Sequence, residues 1–334
     1  MLHGTGKYTY ELVDGWAKLP EGYSFGDVGS LSTDSQDRVY VLNRGAHPVI
    51  VFDREGNLLT TWGEGFFTKR AHGSFVGPDD FVYCTDDGNH TVSKFTPEGK
   101  LLQVLGVKDQ PSDTGYIQKS DLYESLATIE RGGPPFNRPT GVALSPSGEI
   151  YVTDGYGNAR VHKFTPDGTL LFSWGEPGDA PIQFRLPHSL WVDKQERVWV
   201  VDRENNRIQI FNAQGEFLSQ WTDFIRPTDI VIDDEETVYI SELGLRIHIF
   251  TIDGKLLARL GHQGQEKGTD LFAAGGKLQA RWGGEGQDKG TALFLAPHAI
   301  AVDSRGDIYV GEVSMTAAGV DRGARTVQKF ARLT

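Results

Sequence analysis

The chain has 334 residues, 33 Lys or Arg against 45 Asp or Glu, and a formal charge of −12. That balance argues against a nucleic-acid partner, because phosphate backbones are held by clustered cations. No apolar run approaches the roughly 20 residues that span a bilayer. The start, Met1-Leu2-His3-Gly4-Thr5-Gly6-Lys7, lacks the basic-then-apolar order of a secretory signal, and the single Cys84 permits no internal disulfide. A cytoplasmic protein with no membrane attachment is therefore expected. The 41 glycines and 15 prolines point to many short strands separated by turns.

Taken in chain order, Tyr8–Val13 is a strand-like segment without a neighbour, and one pattern then repeats six times. The third copy shows it best: Gly141-Val142-Ala143-Leu144, a turn at Ser145-Pro146-Ser147-Gly148, Ile150-Tyr151-Val152, Asp154, Arg160 to Phe164, a turn at Thr165 to Gly168, and Leu170 to Trp174. Short strands with Gly, Pro or Asp at every turn make an antiparallel four-stranded meander. The aromatic residues of the second strands, Tyr40, Tyr83, Tyr151, Trp199, Tyr239 and Tyr309, anchor the copies. A basic unit of about forty residues matches a propeller blade, lengthened by inserts at about 107–136 and 262–294. The second insert carries a local duplication, Ala258 to Phe272 against Ala280 to Phe294, which has no functional reading. Six sheets that cover one another's faces predict an all-β, six-bladed β-propeller, one domain over 1–334. The sixth copy stops at its third strand, Thr326 to Phe330, so the N-terminal segment is expected to complete that blade.

Eleven residues before each anchor stand Gly29, His72, Thr140, His188, Thr228 and His298. Histidine fills alternate copies, and alternate blades of a six-bladed ring are a third of a turn apart. Nine histidines in the chain would seldom fall that way without a cause. Three imidazoles with an open fourth position are a catalytic zinc pattern, although cobalt, iron or manganese also accept such ligands. Four past the anchor lie Arg44 and Arg203, and Tyr156 lies one further on in the third copy. A guanidinium fork suits a substrate carboxylate, and a phenol beside a metal and cations can serve as a base. A small molecule bearing a carboxylate is the expected partner.

Other columns read as structure. Asn43, Asp86, Asp154, Asp202, Glu242 and Glu312, three past the anchor, are expected to bond loop amides. His162, Gln209, His248 and Gln328 share a third-strand position where the histidines are expected to be solvated. His3, His47, His90 and His262 receive no role, and Cys84 reads as core.

The repeat resembles the NHL class of propellers. Within it, Phe136 to Ala143, Asp154-Gly155-Tyr156-Gly157-Asn158-Ala159-Arg160, Leu186-Pro187-His188-Ser189-Leu190, Asp202 to Gln209, Pro297-His298 and Asn43-Arg44-Gly45 look like peptidyl-α-hydroxyglycine α-amidating lyase. The resemblance covers most of the chain and implies zinc held by His72, His188 and His298, with Tyr156 as catalytic tyrosine and Arg44 and Arg203 as active-site arginines. The implied activity is cleavage of a carbinolamide C–N bond to an amide and glyoxylate. Gly157 and Ile210 stand where secreted members have cysteines, and Ala299 stands where an acidic residue serves a structural calcium, so no calcium is expected. Ala296 replaces a methionine of the family. A carbinolamide or related α-hydroxy acid derivative describes the substrate more safely than a peptide. Two other readings remain at this point: a metal-dependent hydratase or lactone hydrolase on the same fold, and a non-catalytic NHL interaction scaffold. The histidine column speaks against the scaffold but does not separate lyase from hydrolase.

Overall fold

The computed structural model of the chain describes residues 2–261 and 293–333. Residues 262–292, which hold most of the second predicted insert and its duplication and include His262, lie outside the described residues. Six antiparallel sheets follow one another at 28–62, 71–105, 139–174, 187–221, 227–261 and 297–333, each a meander of consecutive strands. These are the blades of a six-bladed β-propeller. No helix among the described residues is long and apolar enough to cross a membrane.

The anchor aromatics sit where a pleated strand turns one face wholly inward, and none is more than 3% exposed. A phenol or indole cannot be buried cheaply without a polar partner. In four copies the partner is an aspartate six residues earlier, at the preceding turn. Tyr40 donates to Asp34 at 3.2 Å, Trp199 to Asp193 at 2.9 Å, Tyr239 to Asp233 at 3.0 Å and Tyr309 to Asp303 at 2.9 Å. Copies two and three have Gly77 and Ser145 there. In them a third-strand lysine lies over the anchor ring, Lys94 at 5.1 Å from Tyr83 and Lys163 at 5.2 Å from Tyr151, as Lys329 also does over Tyr309 at 5.2 Å.

The described residues group into two compact units, one running up to Glu64 and resuming at Ile230, the other Gly65–Asp229. In the first, the N-terminal strands β1 (Leu2–Thr5) and β2 (Tyr8–Val13) join the last sheet, and β2 pairs antiparallel with Val327–Leu333 from Thr9↔Leu333 to Val13↔Lys329. The N-terminal segment thus supplies the missing fourth strand, as expected, and β1 adds a fifth. Tyr8 and Tyr10 are buried in one cluster with Tyr239, Ile249, Ile308 and Phe330. Removing residues 1–13 should therefore lower Tm sharply, and Tyr10→Ala alone should cost about 3 kcal/mol, roughly 5 °C or more. A thermal melt of the truncated chain that superimposes on the intact one would refute this pairing.

In the second unit, Tyr151, Val161, Trp174, Phe184, Val198, Val200 and Phe211 form one cluster, and Tyr83, Val92, Phe136, Val142 and Val152 another. Cys84 is fully buried, and burial pushes its thiol well above the ordinary range. It packs as core, and nothing favours the reactive thiolate. The first insert follows the strand Leu101–Leu105 and contains a short helix, α1 (Leu122–Leu126), capped by Asp121, whose carboxylate accepts from the Glu124 amide at 3.0 Å.

Candidate active site

The histidine column falls on a backbone irregularity. Pairing of first and second strands slips between Val28 and Ser30, Ala71 and Ser74, Pro139 and Gly141, Pro187 and Ser189, and Pro297 and Ala299. The residue eleven before the anchor falls in each slip, alone in four copies and beside Gly73 in the second, so it is freed from the ladder and a bulge re-aims its side chain. Proline just before it in three of these copies suits the first residue of a strand, where no ladder donor is needed.

Each histidine is then fixed by the same contact. Nδ1 of His72 lies 2.8 Å from the Thr140 carbonyl, Nδ1 of His188 lies 2.6 Å from that of Thr228, and Nδ1 of His298 lies 3.0 Å from that of Gly29. The acceptor is in every case the equivalent residue of the next repeat. A carbonyl oxygen can only accept, so Nδ1 carries the proton and Nε2 carries the lone pair that binds metals. Gly73 makes the close approach possible: a Cβ there would stand 2.3 Å from the Thr140 oxygen. His72 and His188 are 2% exposed and His298 is 4% exposed. In the second unit, the His72 and His188 rings are 4.6 Å apart, and each offers a ligand nitrogen within 4.8 Å of the other's. Buried, neutral imidazoles with matched tautomers fit a first-row divalent ion.

Tyr156 joins this pair. Its hydroxyl is 3.4 Å from His72 Nε2, and its ring is 6.1 Å from that of His188. Gly155 lets the loop in, since a Cβ there would meet the Pro187 carbonyl at 2.2 Å. Arg203 Nη1 donates to the Tyr156 oxygen at 3.1 Å, and the Arg203 and Arg70 guanidinium groups each lie 5.4 Å from the ring centre. Burial works against the charge on Arg203, but Tyr156 and Glu204 outweigh it, and its pKa stands above the ordinary value. Glu204 accepts from Arg203 Nε and from Arg226 Nη2, both at 2.8 Å. Burial alone would raise its carboxyl, and the two guanidinium groups hold it down at about 2.

The pH dependence of that cluster has a definite sign. A carboxyl depressed on folding stabilises fully above its unfolded value, near 4.5, and loses that contribution as pH falls toward 2. Glu204→Gln, which leaves two buried guanidinium groups short of a counter-charge, should cost about 3 kcal/mol at pH 7. Chemical denaturation should show the gap to wild type shrinking below pH 4.5; a gap constant to pH 3 would contradict the ion pair.

The second unit thus brings together His72, His188, Tyr156 and Arg203. His298 and Arg44 belong to the first, where Arg44 is half-buried just past the strand Val39–Asn43 and its amide donates to the Asp27 carbonyl at 2.8 Å. Sequence reasoning missed Arg70, Arg226 and Glu204. A signal existed: thirteen before the anchor, copies two, three and five hold Arg70, Arg138 and Arg226. The acidic column behaves as expected at Asn43, Asp86, Asp154, Asp202 and Glu312, which accept from the amides of Gly26, Thr68, Asn137, Arg185 and Ala296. The solvated reading of His162 and His248 is corrected, for both are buried. They face that same column, His162 Nε2 lying 3.2 Å from Asp154 and His248 Nε2 lying 3.3 Å from Glu242.

Repeated meanders with this strand-start geometry define an NHL-repeat propeller, and the NHL repeat model matches residues 136–164 and 184–211. The chain belongs to the family of NHL repeat-containing protein 3: it is 31% identical to the Homo sapiens protein over 343 residues, which cover 98% of this chain and 86% of that protein. It is also 34% identical over 179 residues to peptidyl-α-hydroxyglycine α-amidating lyase 1 of Drosophila melanogaster, covering 50% of this chain and 29% of that protein. Among solved structures, a streptogramin B lyase superposes with a TM-score of 0.59 at 14% identity, over 96% of this chain and 97% of that one, a likeness of fold alone.

Proposed function

We propose that the chain is a zinc-dependent lyase that cleaves the C–N bond of a carbinolamide of the α-hydroxyglycine type, releasing an amide and glyoxylate or a related carbonyl acid. The observation that carries the reading is the shared Nδ1-to-carbonyl bond of His72, His188 and His298, which prepares three equivalent nitrogens in alternate repeats of a six-bladed ring. These three histidines would hold the ion, and residues 1–334 would act as one domain around it. Zinc bound there supplies Lewis acidity that makes a nearby hydroxyl more acidic.

The residues around it suit the rest of the reaction. Tyr156 takes the proton of the substrate's α-hydroxyl on its phenol oxygen. As the C–N electron pair leaves with the amide nitrogen and the carbinol carbon becomes a carbonyl, a proton passes to that nitrogen and both products are neutral at the broken bond. Arg203, donating to the same phenol oxygen, holds that oxygen in place and, with Arg44, holds the carboxylate of the departing glyoxylate. The similarity of half the chain to an amidating lyase supports this chemistry over hydration or lactone hydrolysis. The test is glyoxylate release from N-acyl-α-hydroxyglycines of varied acyl group by zinc-loaded protein. Release from at least one is expected, and none across the series would overturn the lyase reading.

A further inference from the structure

Beside Tyr156 the second unit holds a cleft of about 660 Å³, walled by the first insert and by Arg70, Asp87, His90 and Arg138. Its floor is one carboxylate serving two guanidinium groups. Asp87, fully buried, accepts from Arg70 Nη2 at 2.8 Å and lies 3.4 Å from Arg138 Nη2. Two cations on one anion leave net positive charge in a chain whose total is −12. The other acid of the lining, Asp113, does not cancel it, because it is 84% exposed and paired with Arg131 at 2.6 Å.

Three side chains of the wall, Arg70, Arg138 and His90, are donors. Arg138 and His90 both adopt left-handed backbone conformations, φ +67° and +64°, which non-glycine residues keep only where the surroundings enforce them. The Arg138 amide donates to His90 Nδ1 at 3.1 Å, so His90 Nε2 carries the proton. Of the wall's acceptors, the Tyr116 hydroxyl oxygen is taken by Arg138 Nη1 at 2.7 Å, and the Gln118 side-chain oxygen by the same nitrogen. The cleft is tied directly to the reacting tyrosine. The amides of Tyr156 and Gly157 donate to the carbonyls of Arg138 and Asn137, at 3.4 and 3.1 Å, and Arg70 covers the tyrosine ring.

We propose that this cleft is the subsite for the remote end of the substrate, and that it selects an acyl group ending in a carboxylate. Naming the occupant as the acyl end rests on the lyase reading; recognition of an anion there does not. Net positive charge carried by planar guanidinium groups suits a carboxylate's two oxygens, whereas a neutral acyl group gains nothing from that charge.

The test uses N-acylglycines, which lack the hydroxyl and cannot be cleaved, titrated calorimetrically into the zinc-loaded full chain. N-succinylglycine should bind at least about tenfold more tightly than N-acetylglycine, Arg138→Gln should erase the difference, and Arg138→Lys, which keeps the charge, should retain part of it. Because Arg138 also holds its loop, the wild-type preference is measured between 50 and 500 mM salt as well, where it should fall as salt rises. Equal affinities in the wild type, a preference indifferent to salt, or one that survives in Arg138→Gln would overturn the subsite. Preferential binding without cleavage of any hydroxylated substrate would leave the anion site standing and remove the lyase. Cleavage with equal binding would do the reverse.

Discussion

His188→Ala is expected to lower glyoxylate release by about a thousandfold or more while leaving the fold intact. The ring's Nδ1 contact to Thr228 is one hydrogen bond among many, so its loss should cost only about 1 kcal/mol of stability. In the proposed lyase, catalysis depends on the other nitrogen. With two ligands left, an ion is held weakly and its orienting geometry is lost. The measurement is kcat/KM on the best N-acyl-α-hydroxyglycine, with thermal melts of both proteins. A variant that melts normally and keeps a tenth of wild-type activity would show that the site lies elsewhere.

Tyr156→Phe should leave KM within about threefold and reduce kcat by about 10² to 10⁴, the range for a positioned acid or base. The split follows from the geometry. The ring keeps its packing against Leu126, Ile129 and Leu186 and its guanidinium neighbours, so binding changes little, and only the oxygen that accepts from Arg203 is removed. Equal losses in affinity and turnover would instead mark the tyrosine as a substrate-binding group.

Much of this was legible in the sequence because a repeat lets every position be compared across six copies. The anchors Tyr40 to Tyr309 and the His72, His188, His298 column follow from positions that recur, and the closing role of Tyr8–Val13 follows from the strand that the sixth copy lacks. What stayed hidden lies between copies. Arg138 reaches Asp87 of the preceding blade, and Arg226 reaches Glu204 of the blade before it, and no spacing within one repeat announces a pair that forms across two. The burial of His162 and His248 was misread for a related reason. A polar residue in a third strand looks solvated until the acidic side chain facing it from the second strand is placed, Asp154 in one copy and Glu242 in the other. The bulge that aims each histidine was also invisible, being a feature of pairing register.

The metal content of the purified chain tests the threefold arrangement most directly. Protein prepared without added metal should carry one first-row divalent ion per chain, predominantly zinc, and His72→Ala, His188→Ala and His298→Ala should each carry almost none. Wild-type metal content in the His298→Ala protein, or no metal in the unaltered chain even after dialysis against zinc, would contradict a site shared by three alternate blades.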